Sequence, residues 1–72
     1  MQTVLLVDDD RRVSSAYLRV LQDLNVKVFI ASAMSEAQEI AKTCQDISVV
    51  ITDYRLPDGD GLSLIKNIRE IC

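Results

Sequence analysis

Histidine and tryptophan are absent from this 72-residue sequence, and cysteine occurs only as Cys44 and Cys72. Without histidine there is no zinc pattern, and two distant cysteines make no disulfide framework. Both thiols are therefore expected to be reduced and ordinary, as in a cytoplasmic protein, since free cysteine usually behaves as a small hydrophobe. Proline occurs once, at Pro57, and glycine twice, at Gly59 and Gly61, so no linker or low-complexity segment divides the chain. Aromatic residues are scarce: Tyr17, Phe29 and Tyr54 are the full set, and the core must be mostly Val, Leu, Ile and Ala. A net charge of −3, with Arg11-Arg12 the one adjacent basic pair, argues against a nucleic-acid surface. No apolar run approaches the ~18 residues of a membrane span, and neither a membrane segment nor a signal peptide is expected. A chain this short has room for one small domain with marginal burial.

What is present is a regular alternation. Val4-Leu5-Leu6-Val7 is a continuous apolar run that stops at Asp8-Asp9-Asp10, as a strand buried on both faces would. Val13, Ala16, Tyr17, Val20, Leu21 and Leu24 recur at helical spacing, with Asn25 placed to end that helix in a left-handed conformation. Val26 to Ala31 reads as a second strand. Ser35 with Gln38 has the form of a capping box, ahead of a stripe of Ala37, Ile40, Ala41 and Cys44. Ile47 to Thr52 is a third strand ending at Asp53. The turn-rich stretch Leu56-Pro57-Asp58-Gly59-Asp60-Gly61 follows, and Asp60 is expected to cap a last helix with Leu64, Ile65, Ile68 and Ile71 on its face. Pro57 fixes φ, and the glycines are read as turn residues that shape the loop.

Strand and helix alternating three times predict an α/β fold with a parallel sheet and crossover helices. Either strand order 2-1-3 or strand order 1-2-3 satisfies right-handed crossovers. The first strand is the more evenly apolar, which favours 2-1-3. Ligands in such sheets bind beyond the carboxyl ends of the strands where the order reverses. That point brings Asp8, Asp9 and Asp53 together. At about 5 Å separation and an effective dielectric near 20, each carboxylate pair repels by roughly 3 kcal/mol. A cluster of this kind calls for a counter-ion or a bound proton, and an all-oxygen donor set suits Mg²⁺. A plainer role for the triple aspartate is capping of the first helix, which suits Asp10 and leaves Asp53 unexplained.

Val4-Leu5-Leu6-Val7-Asp8-Asp9-Asp10 resembles the opening of bacterial two-component receiver domains, and Val50 to Gly61 resembles their phosphorylation segment. The resemblance implies a flavodoxin-like (CheY-like) three-layer fold, with residues 1–72 as a partial receiver domain comprising the first three βα units. It implies Asp53 as phosphoacceptor and Mg²⁺ held by Asp8, Asp9, Asp53 and the backbone carbonyl of Arg55. It also implies a role as phosphorelay module rather than enzyme, with slow self-phosphorylation from small phosphodonors and a histidine kinase or phosphotransferase as partner.

The family's later strands supply a Ser or Thr and a Lys to the phosphoryl group. Neither Lys42, Lys66 nor Ser63 stands in a matching place, so impaired phosphorylation is expected. Met34 replaces a common Gly, and Ser48 a common Asp. Competing readings are a phosphohydrolase using Asp8-x-Asp10, against which Arg12 stands where a Thr or Val is wanted, and an interaction module or inactive fragment indifferent to phosphorylation. The third strand is expected to be an open edge that pairs a homodimer, either directly or with exchange of the last helix. Sheet residues such as Leu5 and Val7 are expected to be poorly covered.

Overall fold

The first strand, β1 (Thr3–Val7), is buried at every residue, which its unbroken apolar run dictates once strands flank it on both sides. Those neighbours are β2 (Lys27–Ala31) and β3 (Ile47–Thr52), both parallel to it, giving the order β2-β1-β3. The 2-1-3 arrangement is thus realised and 1-2-3 is not. Ser48 is skipped in the β1–β3 register, since Thr3 faces Ile47 while Val4 faces Val49. The computed structural model describes residues 1–43 and 46–71; Cys44, placed by its spacing on the second helical stripe, lies outside the described residues, as does Cys72.

Among the described residues three helices cover the sheet: α1 (Arg11–Gln22), α2 (Met34–Thr43) and α3 (Gly61–Ile71). Leu5 and Val7 point into a core shared with Ala31, Ala37, Ala41, Leu56, Leu64 and Ile68. Both are fully buried, contrary to the expectation of poor cover, because α2 and α3 lie on their side of the sheet. Alternation along the strand sends Val4 and Leu6 to the opposite face.

The helix α1 corrects a second expectation. Of the stripe Val13, Ala16, Tyr17, Val20, Leu21 and Leu24, only Leu21 is buried, and Val20 is 65% exposed. The covered positions are Ser14 and Leu21, with Leu18 half-buried between them, a second set at helical spacing. The anticipated stripe instead lines a shallow groove of about 650 Å³ along Val13, Ala16, Tyr17 and Val20.

Helix ends show where local signals hold. Asp10 caps α1 by accepting from the Arg12 amide at 2.9 Å. The helix closes on Asp23, and Asn25 takes φ 53° two residues later. Asp60 caps α3, its carboxylate accepting from the Ser63 amide at 2.8 Å and hydroxyl at 3.1 Å. The capping box of Ser35 and Gln38 does not form, because α2 begins at Met34 and so encloses Ser35 in its first turn. Glu36 reaches back to the Ser32 amide instead, at 2.7 Å. The turn-rich stretch forms a two-stranded hairpin, β4 (Arg55–Leu56) with β5 (Gly59–Asp60), antiparallel around Pro57-Asp58.

Candidate functional site

The carboxyl ends of β1 and β3 are level, with Val7 facing Thr52. Each chain then continues one residue past the sheet. The Asp8 amide donates to the carbonyl of Ala31 at 3.0 Å, and the Asp53 amide to the carbonyl of Val7 at 2.9 Å. These backbone bonds fix where both side chains start. Asp8, Asp9 and Asp53 consequently present one carboxylate oxygen each, all within 4.8 Å of one another. Asp8 is half-buried and the other two are exposed.

Two of the three carboxylates are also held locally. Asp8 Oδ1 accepts from the Asp10 amide at 2.9 Å, and Asp53 Oδ1 accepts from the Tyr54 amide at 2.8 Å. A cavity of about 510 Å³ opens over the cluster, lined by the polar Asp8, Asp9, Asp10, Thr52 and Asp53 and by the largely apolar Val13, Tyr17 and Ile51. No Lys or Arg is among the described residues that line it. The donor set is oxygen throughout, which fits a hard cation such as Mg²⁺.

Asp10 lines the same cavity but is occupied elsewhere. Its Oδ1 takes the Arg12 amide at 2.9 Å and guanidinium Nε at 3.3 Å, while Oδ2 takes Nη2 at 3.3 Å. The Arg12 side-chain hydrogen bond, helped by the backbone one, holds the Asp10 carboxyl below the usual carboxylate range. The helix-cap reading therefore describes Asp10, and the pairing of Asp8 with Asp10 as a phosphohydrolase motif has no support in the geometry. Arg55 lies two residues beyond Asp53 at the start of β4, opposite Asp60, and is not among the cavity-lining residues.

The structure gives Gly61 a role other than the expected turn residue, and gives Asp58 a partner beyond its own loop. Gly61 backs directly onto the acceptor segment: its amide donates to Tyr54 O at 2.7 Å, and a Cβ there would stand 2.5 Å from Asp53 O. Neither glycine has a positive φ, so Gly61 is required for close approach and not for a turn conformation. Asp58 accepts from the amides of Met34 and Ser35 at 2.7 and 2.9 Å, joining the hairpin to α2. Those two amide bonds, the Ser35 one foremost, lower the Asp58 pKa from the ordinary value of 3.8.

Comparison with known proteins agrees with this architecture. The family described as the response regulator receiver domain matches residues 4–71, and the chain belongs to it. It is 37% identical over 68 residues to the hydrogenase transcriptional regulatory protein HoxA of Cupriavidus necator, covering 94% of this chain and 14% of that protein. It is 30% identical over 70 residues to the KDP operon transcriptional regulatory protein KdpE of Escherichia coli, covering 97% of this chain and 31% of that one. The chain thus spans a minor part of these relatives. The receiver domain of the hybrid histidine kinase CckA superposes with a TM-score of 0.88 at 31% identity, over 96% of this chain and 65% of that one. The non-phosphorylated HemR receiver domain from Leptospira biflexa gives 0.86 at 30% identity, over 97% and 56%. The fold is the CheY-like receiver fold, and the domain is one of phosphorelay signalling. Among the described residues no helix is long and apolar enough to cross a membrane.

Proposed function

We propose that residues 1–72 are the first three βα units of a receiver that accepts a phosphoryl group on Asp53, taken from a phosphohistidine of a histidine kinase or phosphotransferase in the cytoplasm. The observation that carries this reading is the convergence of Asp8, Asp9 and Asp53 within 4.8 Å at the point where strand order reverses. In the step itself a carboxylate oxygen of Asp53 attacks phosphorus, the P–N bond of the phosphohistidine breaks, and the imidazole leaves with the electron pair. Tyr54, whose amide holds Asp53 Oδ1, leaves Oδ2 as the attacking atom. Asp8, Asp9 and Asp53, with the backbone carbonyl of Arg55, are the residues that would hold Mg²⁺. When bound, the ion would supply positive charge that offsets the charge on the transferred phosphoryl group.

The same reading makes the reaction slow in this chain, because no described Lys or Arg lines the cavity. Lack of one preorganised charge stabiliser costs about a hundredfold in rate. Acetyl phosphate with Mg²⁺, followed by intact-mass analysis, tests the proposal. A slowly formed, alkali-labile single adduct in wild type, absent in Asp53→Asn, is expected; the same adduct in Asp53→Asn refutes it. A self-association partner also fits: β3 pairs only with β1 among the described strands, and Val49 is 41% exposed on it. Two such edges related by a two-fold axis would pair antiparallel.

A further inference from the structure

The first turn of α2 leaves backbone amides without partners inside the helix, as every helix does. Here two of them are satisfied by a side chain from far along the chain. Asp58 sits at the tip of the β4–β5 hairpin and receives Met34 N on Oδ1 at 2.7 Å and Ser35 N on Oδ2 at 2.9 Å. Neither Ser35 nor Gln38 provides a local substitute, since the helix begins ahead of both. Beside this bond the Met34 thioether occupies the space that a side chain on Gly59 would need. The tip of the hairpin is therefore bound to α2 by a charge-assisted pair of hydrogen bonds and an apolar contact.

The base of the hairpin is bound just as firmly to the acceptor segment. Gly61 N donates to Tyr54 O, Gly61 lies against the Asp53 carbonyl, and Leu56 is anchored in the core. The segment from Asp53 to Gly61 is thus short, fixed at both ends and internally paired. A displacement of the Asp53 backbone has little slack to be lost in before it reaches Asp58.

We infer that Asp58 is a positioning residue that couples the acceptor segment around Asp53 to the N-terminus of α2, so that the first turn of α2 responds to what is bound at Asp53. This rests on the phosphoacceptor reading and adds to it a route by which the site's state reaches a helix that contributes none of its carboxylates. The chemistry of the link is specific: two parallel acceptor oxygens on one carboxylate, facing two consecutive amides.

The test is amide NMR of the chain with Mg²⁺ and beryllofluoride as the phosphoryl mimic, in wild type, Asp58→Ala and Asp58→Asn. In wild type, Asp53 and Tyr54 shift, and Met34 and Ser35 shift with them. In Asp58→Ala, Asp53 and Tyr54 still shift, while the response of Met34 and Ser35 falls to that of a remote residue such as Lys27. The amides of Ala37 to Thr43 report whether α2 remains folded. Should that helix fray, Asp58→Asn keeps one acceptor oxygen, and at least one of the two amides loses its response. Unchanged responses at Met34 and Ser35 in both variants overturn the coupling, as does a wild type in which Asp53 shifts and they do not. A wild type in which Asp53 itself is silent removes the phosphoacceptor reading and the coupling together.

Discussion

The carbonyl oxygen of Asp53 stands 2.5 Å from where a Cβ on Gly61 would lie, with Thr52 Cγ2 at 3.0 Å. Backbone cannot yield there without moving the acceptor segment. Gly61→Ala is expected to destabilise the chain by about 1–3 kcal/mol, the usual range for overpacking. Gly59→Ala meets only the flexible end of Met34, which can rotate away, and should be milder. Urea unfolding of both variants checks the contrast, and equal losses would contradict it.

The two faces of the fold should respond differently to truncation. Leu64 is fully buried in the core, so Leu64→Ala is expected to cost about 2–5 kcal/mol. Val20 lies on the open side of α1, and Val20→Ala should stay within about 0.5 kcal/mol. A large loss at Val20, by the same denaturation, would mean that its face of α1 is packed.

Asp58 supplies a pH dependence whose sign is fixed by its depressed pKa. Its ionised form is favoured by the fold, so the bond to α2 is fully present above the unfolded carboxylate value. It weakens only as pH falls through a folded pKa below 3.8. The Met34 and Ser35 amide shifts, followed down in pH, should titrate together with a midpoint under 3.8. A midpoint above that value would contradict the assignment.

Much of this was legible in the residues. The apolar run Val4 to Val7 stopping at Asp8, and the β-branched run Val49-Val50-Ile51-Thr52 leading into Asp53, gave away β1 and β3. Their parallel order then brought Asp8 and Asp53 to one end of the sheet. Asp10 and Asp60 could be read as caps because their partners lie two and three residues away. The Asp58 bond could not, since its partners are 24 and 23 residues distant. The orientation of α1 was ambiguous because Leu18 and Leu21 offer an apolar face beside that of Val13, Tyr17 and Val20, and helical periodicity does not choose between them. The need for glycine at position 61 is one of proximity between segments, which composition does not express.

Among the described strands β3 pairs only with β1, so the proposed self-association through its other side can be tested. Val49→Lys places charge on an exposed position of that strand, the device by which edges are blunted. Sedimentation equilibrium should show a dimer in wild type and a monomer in the variant. A folded wild-type monomer at high concentration would defeat the prediction.

Asp8, Asp9 and Asp53 are proposed to act as one metal-holding site. Titration with paramagnetic Mn²⁺ in place of Mg²⁺, followed by amide line broadening, tests it most directly. Broadening centred on residues 8, 9, 53 and 54 is expected in wild type. Losing even an outer partner of a metal ligand weakens binding roughly tenfold or more, so Asp9→Asn and Asp53→Asn should each weaken it at least as much. Broadening of equal strength in wild type and both variants, or centred away from these residues, would show that the three carboxylates do not hold the metal.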